Sequence, residues 1–146
     1  MHRDFKDLLS EFNAKHVEFL VVGAHALAAH GFVRATKDLD IWVRPTIENA
    51  RRVADALTAF GASLHGTSIN DFATPDFVLQ IGVAPIRIDV LTSKAGVAFD
   101  EAWPARLLTV FAGEPVNVLS KQHLIQNKSA TGRPQDIIDV GLLTKQ

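Results

Sequence analysis

Asp38 and Asp40 are separated by a single residue in the run TKDLDIWVR. In an extended segment, residues two apart project from the same face, so the two carboxylates stand side by side while Leu39, Ile41 and Val43 point the other way. Paired like charges oppose one another unless a cation lies between them, and a divalent metal is the natural one. A third carboxylate, Asp89 in IRIDVL, comes from the middle of another strand-like run, where Ile86, Ile88 and Val90 take one face and Arg87 and Asp89 the other. Such an oxygen-rich set suits Mg²⁺ or Mn²⁺ rather than zinc. Two such ions about 3.5–4 Å apart can hold a triphosphate and activate an attacking hydroxyl for in-line displacement.

Phosphate also needs donors. Residues 17–22 form a β-branched, almost wholly apolar run that reads as a strand buried on both faces. Gly23 ends it, and the alanine-rich stretch 24–30 favours a helix closed by Gly31. The helix therefore starts directly after the strand, where uncommitted backbone amides and the helix dipole accept phosphate oxygens. Strand, glycine turn, helix and aspartate pair together read as a phosphate site followed by a metal site.

The remaining elements have to position these groups. Phe5, Leu8, Leu9 and Phe12 recur at helical spacing over 4–16. After the strand 39–43, Thr46 is placed to cap a helix whose apolar face is Ile47, Ala50, Val53, Ala54, Leu57 and Phe60, ending at Gly61; Arg51, Arg52 and Asp55 lie off that face. Residues 62–75 carry no clear pattern. The runs 76–81 and 85–91 suggest an antiparallel pair about a turn at 82–84, 99–103 a helical turn, and 107–111 with 115–119 a hairpin. Ser120 caps a helix through residue 130, and Pro134 opens a last helix ending near residue 143. The pattern is α/β, with no internal repeat.

The chain has 146 residues, enough for one domain with a real core, and a net charge of −1, which gives no global basic footprint for nucleic acid or acidic membranes. It has no cysteine, which excludes disulfides, thiolate metal sites and cysteine nucleophiles and is compatible with the cytoplasm. The N-terminus MHRDFKDLLSEF is not a secretory signal, and no apolar run approaches the ~20 residues that span a bilayer, so no membrane association is expected.

Gly23-Ala24, then Asp38-Leu39-Asp40, then Asp89 in IRIDVL resembles the DNA polymerase beta-like nucleotidyltransferase superfamily, most closely its small prokaryotic minimal and abortive-infection-type members. AHGFVRATKDLDI and KQHLIQNKSATGRPQDIIDV are similar to that group too, so the likeness spans nearly the whole chain. The resemblance implies a nucleotidyltransferase fold: a mixed, mainly antiparallel sheet flanked by helices with a C-terminal helical pair, as a single domain over 1–146. It implies transfer of a nucleoside monophosphate from an NTP to an acceptor hydroxyl or phosphate, with RNA or protein as acceptor, and release of pyrophosphate. Asp38 and Asp40 would bind two Mg²⁺ ions (or Mn²⁺) and the nucleotide phosphates, and Asp89 would complete the metal site and assist deprotonation of the acceptor. Gly23 and the amide of Ala24 would contact the triphosphate, Arg34, Thr36 and Lys37 would steer it in, and Lys128, Arg133 and Asp136 would form a polar cluster facing the cleft.

Several readings stay open on the residues themselves. Asp38 can cap or pair with Lys37 or Arg34, Asp89 with Arg87, and Lys128 and Arg133 with Asp136 or Asp139. His25 and His30, five apart on a short helix, diverge too far to share a metal, which leaves packing or contact with a nucleotide edge. Position 24 is alanine where many members of the superfamily carry glycine or serine, so the turn offers no hydroxyl. That favours a second class of function, a nucleotidyltransferase-like binding partner of toxin–antitoxin type with little turnover. A metal-dependent nuclease would leave the glycine turn without a task.

Overall fold

The computed structural model describes residues 1–82 and 86–145. The expected turn residues Val83 and Ala84 and the expected first strand residue Pro85 lie outside them.

Helix α1 (Arg3–Ala14) buries Phe5, Leu8, Leu9 and Phe12, as their spacing predicts. Strand β1 (Phe19–Val22) is buried along its whole length and runs straight into α2 (Gly23–Ala29). Strand β2 (Asp38–Val43) buries Leu39, Ile41, Trp42 and Val43 and leaves Asp38 and Asp40 partly accessible. Helix α3 (Ile47–Phe60) is capped by the Thr46 hydroxyl and stopped by Gly61. Ile47, expected on the apolar face, is exposed instead, while Asn49 and Ala50 of the same first turn are buried. The unassigned stretch contains a 3₁₀ helix, Ile69–Ala73, entered through a Ser68–Asp71 capping box.

Strands β3 (Val78–Ile81) and β4 (Arg87–Leu91) pair antiparallel, a short α4 (Phe99–Ala102) follows, and β5 (Leu107–Phe111) and β6 (Glu114–Val118) form the expected hairpin. Helices α5 (Lys121–Thr131), capped by Ser120, and α6 (Pro134–Thr144) pack on each other as the C-terminal pair.

The six strands form one mixed sheet, ordered β3-β4-β2-β1-β6-β5. Three of its five pairings are antiparallel; β1–β6 and β2–β4 are parallel. The two strands that matter most for chemistry therefore lie in the middle, where both edges are hydrogen-bonded and side-chain positions are fixed. Buried Asn49 locks the start of β1 to α3 and to the end of β2. It accepts from the Glu18 amide at 2.8 Å and donates to the Glu18 and Arg44 carbonyls at 3.0 Å each. Trp42 fills the core beneath β2, edge-on to Phe99 with ring centroids 5.1 Å apart. Among the described residues no helix is long and apolar enough to cross a membrane.

Candidate active site

Asp40 occupies the centre of the sheet. In the antiparallel register its neighbour on β1 is Val22, and in the parallel register its neighbour on β4 is Asp89. Two carboxylates thus face one another across adjacent strands, with Asp38 one pleat away and opposite Arg87. The Arg87 guanidinium reaches Asp38 at 3.5 Å, and Gln80 donates to Asp89 at 3.4 Å. Thr36 holds the entrance to β2, its hydroxyl accepting from the Asp38 amide at 3.1 Å. Burial, then the charge of Asp89, push the Asp40 carboxyl up to about 6, against opposition from Lys94 and Arg87. Ionising Asp40 here is therefore opposed first by its burial and then by the neighbouring carboxylate.

Gly23 explains how a helix can begin so close to that carboxylate. Its φ of +69° is left-handed, and a Cβ there would overlap Asp40 Oδ2. Only glycine lets the β1–α2 turn lie against Asp40. No side chain caps the first turn of α2.

The opposite wall comes from the C-terminal helices. Asp136 and Asp139, one turn apart on α6, are both buried. Asp139 receives Lys128 at 2.9 Å, Gln135 at 3.0 Å and the guanidinium of Arg34, which ties the segment before β2 to α6. Asp136 receives Arg133 at 2.7 and 3.2 Å and the Thr131 hydroxyl at 2.7 Å. The Arg133 hydrogen bond holds Asp136 well below the usual carboxylate range, against burial and with help from Thr131. Burial alone would raise Asp139, but hydrogen bonds from Lys128 and Gln135 outweigh it and hold its carboxyl low. Between the two walls lies a cleft of about 540 Å³, the size of a small-molecule site, lined by Gly23, Ala24, Leu27, Arg34, Asp40, Lys128, Arg133, Pro134, Gln135, Asp136 and Asp139. A second hollow, lined by Asp4, Asp7, Ser10, Glu11, Ala59 and Phe60 on α1 and α3, shares no residue with it.

A glycine turn and paired strand carboxylates across a cleft from a charged helix pair invite comparison with known proteins. Residues 3–143 match the family described as nucleotidyltransferase of unknown function (DUF6036). The chain belongs to this nucleotidyltransferase family. No curated protein matches it by sequence. Solved structures share the fold at low identity. Protein TM1012 of Thermotoga maritima is 16% identical, with 98% of this chain and 89% of that one covered and a TM-score of 0.60. The lincosamide antibiotic adenylyltransferase LnuA, lincomycin-bound, is 14% identical over 99% and 96% of the two chains, also at 0.60. ANT(2")-Ia in complex with adenylyl-2"-tobramycin is 15% identical over 97% and 86%, at 0.58.

Of the residues singled out in this nucleotidyltransferase sequence, the structure brings Gly23, Ala24, Arg34, Asp40, Lys128 and Arg133 to one cleft, with Asp89 beside Asp40. Asp136 lines the same cleft and Asp38 lies one pleat from Asp40, whereas Lys37, His25 and His30 point elsewhere. Lys37 is exposed and its carbonyl accepts from the Arg87 amide. His25 packs between Phe5 and Phe111, centroids 5.5 and 6.2 Å away, and burial with the nearby N-terminal charge lowers its pKa. His30 bonds the Leu119 carbonyl at 2.9 Å. Among the described residues no three acidic or histidine side chains stand converged as a metal cluster.

Two residues of the site carried little or no signal. Asp139 lies three residues after Asp136, on the same helix face, and that spacing was the available clue. Lys94 had none. It sits in the turn-like TSKAG after β4 and reads as a solvated loop, yet its charge interacts with Asp40, Lys128, Arg133 and Asp136.

Proposed function

We propose that the chain is a Mg²⁺-dependent enzyme that moves a nucleoside monophosphate from an NTP to an acceptor hydroxyl or phosphate, with release of pyrophosphate, and that residues 1–146 act as one catalytic unit in the cytoplasm. The observation that carries this is Asp40: a half-buried carboxylate next to Asp89 across the strand pair and pressed against the glycine turn. Asp40 and Asp89, paired across adjacent strands with Asp38 one pleat away, offer oxygen donors and no sulfur, the chemistry a hard divalent ion takes. Asp38, Asp40 and Asp89 would hold Mg²⁺, which when bound supplies charge that offsets phosphate oxygens and makes an acceptor hydroxyl more acidic.

In this reading the amides at Gly23 and Ala24 bind phosphate oxygens, and Arg34, Lys128 and Arg133 keep the facing wall positive. Asp89 takes the proton of the acceptor. The acceptor oxygen bonds to the α-phosphorus, the bond from that phosphorus to the β-phosphate's bridging oxygen breaks, and pyrophosphate leaves with the electron pair. ATP is the first NTP to try, since one of the fold's neighbours is an adenylyltransferase and another was solved with adenylyl-2"-tobramycin. The test is incubation of the chain with Mg²⁺, each of the four NTPs labelled at the α-phosphate, and a cell lysate. Label should pass to an acceptor with the wild type and not with Asp40→Asn or Asp89→Asn.

One observation favours the second reading, a low-turnover binding partner in a toxin–antitoxin pair: Asp38 is already engaged by Arg87 at 3.5 Å. No label transferred from any NTP, together with a stoichiometric protein co-purifying with the chain, would select that reading.

A further inference from the structure

The cations of the cleft are nearly all committed. Lys128 is shared by Asp139 and Asp136, at 2.9 and 3.7 Å; Arg133 is held by Asp136, Arg34 by Asp139, and Arg87 by Asp38. Lys94 differs: among the described residues its ammonium makes no hydrogen bond or ion pair. Its backbone is nevertheless firmly placed. Thr92, buried at the end of β4, accepts from the Phe77 amide at 2.9 Å and donates to the Thr74 carbonyl at 2.6 Å. Lys94 forms an isolated bridge with Val97. Asn127 and Gln126 of α5 donate to the Ala95 and Gly96 carbonyls at 2.9 and 2.6 Å. Gly96, at φ +76°, lies so close that a Cβ would sit 2.6 Å from that of Ala130. The loop is thereby fastened between β4, which carries Asp89, and α5, which carries Lys128, and its half-buried lysine is close enough for its charge to act on Asp40, Lys128, Arg133 and Asp136.

We propose that Lys94 is a phosphate-binding residue whose ammonium takes the phosphate chain of the NTP where it crosses from the aspartate strands to the C-terminal helix pair. The inference rests on the nucleotidyltransferase reading of the cleft. A half-buried cation next to two other cations is unfavourable until an anion arrives, and a triphosphate supplies several charges at once. Burial, followed by the charges of Lys128 and Arg133, lowers the Lys94 pKa despite Asp40 and Asp136. Lys128 and Arg133, locked to buried carboxylates, are poorly free to move onto phosphate; Lys94 can do so without breaking an existing pair.

The test is calorimetric titration of the full chain, in Mg²⁺, with each NTP and with inorganic tripolyphosphate, for the wild type, Lys94→Gln and Lys94→Arg, alongside thermal melts. Lys94→Gln should weaken binding of NTP and tripolyphosphate about tenfold or more, the loss expected for a charge-assisted hydrogen bond. Lys94→Arg should retain most of the affinity, and neither variant should melt below the wild type. Wild-type affinity in Lys94→Gln, equal losses in both variants, or a lowered melt would overturn the proposal while leaving the nucleotidyltransferase reading intact. Tripolyphosphate binding that depends on Lys94, with no NTP bound, would support Lys94 and sink the nucleotide reading. A wild type that binds none of these anions overturns both.

Discussion

Replacing Asp40 by Asn should make the metal-free protein more stable while abolishing the activity proposed for it. The Asp40 carboxyl is pushed up to about 6, against 3.8 for an unhindered aspartate. Each unit of such a difference corresponds to about 1.4 kcal/mol, so ionised Asp40 costs up to about 3 kcal/mol. Part of the carboxylate reaches water, and allowing for screening leaves about 1–2 kcal/mol. The sign follows from proton counts. Between about pH 4 and 6 the folded chain holds this proton more tightly than the unfolded one, so stability contributed here is present below 3.8 and lost as pH rises through 6. Asparagine, nearly isosteric and neutral, escapes that loss. Urea unfolding in a chelator at pH 8 should show Asp40→Asn about 1–2 kcal/mol more stable than wild type, with the gap closing toward pH 4. Saturating Mg²⁺ should stabilise the wild type and leave the variant unmoved. Curves for the two proteins that run parallel from pH 4 to 8 would refute the electrostatic reasoning, and a variant less stable at pH 8 would reverse it.

Other substitutions probe the scaffold. Asp139→Ala strands Lys128 and Arg34 without their buried partner and should cost about 3–5 kcal/mol in chemical denaturation, whereas Asp139→Asn, which keeps a hydrogen-bonding oxygen, should cost less. Because Asp136 and Asp139 are both held below the usual range, their contribution is present above about pH 4 and lost on further acidification, and an acid titration followed by circular dichroism should show Asp136→Asn flattening that loss. Asn49→Ala leaves the Glu18 amide without its acceptor and takes one of two donors from each of the Glu18 and Arg44 carbonyls, which keep the Arg44 and Thr46 amides, and should cost about 1–3 kcal/mol, with Asn49→Asp failing to rescue fully because it cannot donate. Gly23→Ala combines a left-handed φ with a collision against Asp40; in a double-mutant cycle its penalty should shrink by about 0.5–2 kcal/mol when Asp40 is also alanine, and simple additivity would show that the two do not press on each other.

The strand half of the site was legible because its signals are local. Asp-x-Asp alternation, the buried run before Gly23 and the caps at Thr46, Ser120 and Pro134 each act within a few residues, and the elements they predict are present to within one or two positions. The 3₁₀ helix at Ile69–Ala73 is marked in the sequence only by Ser68 and Asp71, which stand at capping-box spacing. Lys94 shows what local reading misses. Its place depends on Asn127 and Gln126, about thirty residues downstream, reaching back to the carbonyls of its loop. Of the two roles that sequence leaves open to His25, packing or contact with a nucleotide edge, its place beside Phe5 and Phe111 is packing, set by residues distant in the chain.

The two halves of the site differ in electrostatic state, and that difference has a measurable consequence. On the helical wall, Asp136 and Asp139 are ionised throughout the neutral range and already matched by Arg133, Lys128 and Arg34. Ligand binding can change little there. On the strand wall, Asp40 is about half-protonated near pH 6, and Asp89 stands across the strand pair from it. A cation drawn to this wall must therefore expel the Asp40 proton. Calorimetric titration with Mg²⁺ in buffers of different ionisation enthalpy should show proton release near one-half per chain at pH 6, vanishing by pH 8 and absent in Asp40→Asn. Release that persists at pH 8 would locate the proton elsewhere, and none at pH 6 would mean that the cation does not bind at Asp40.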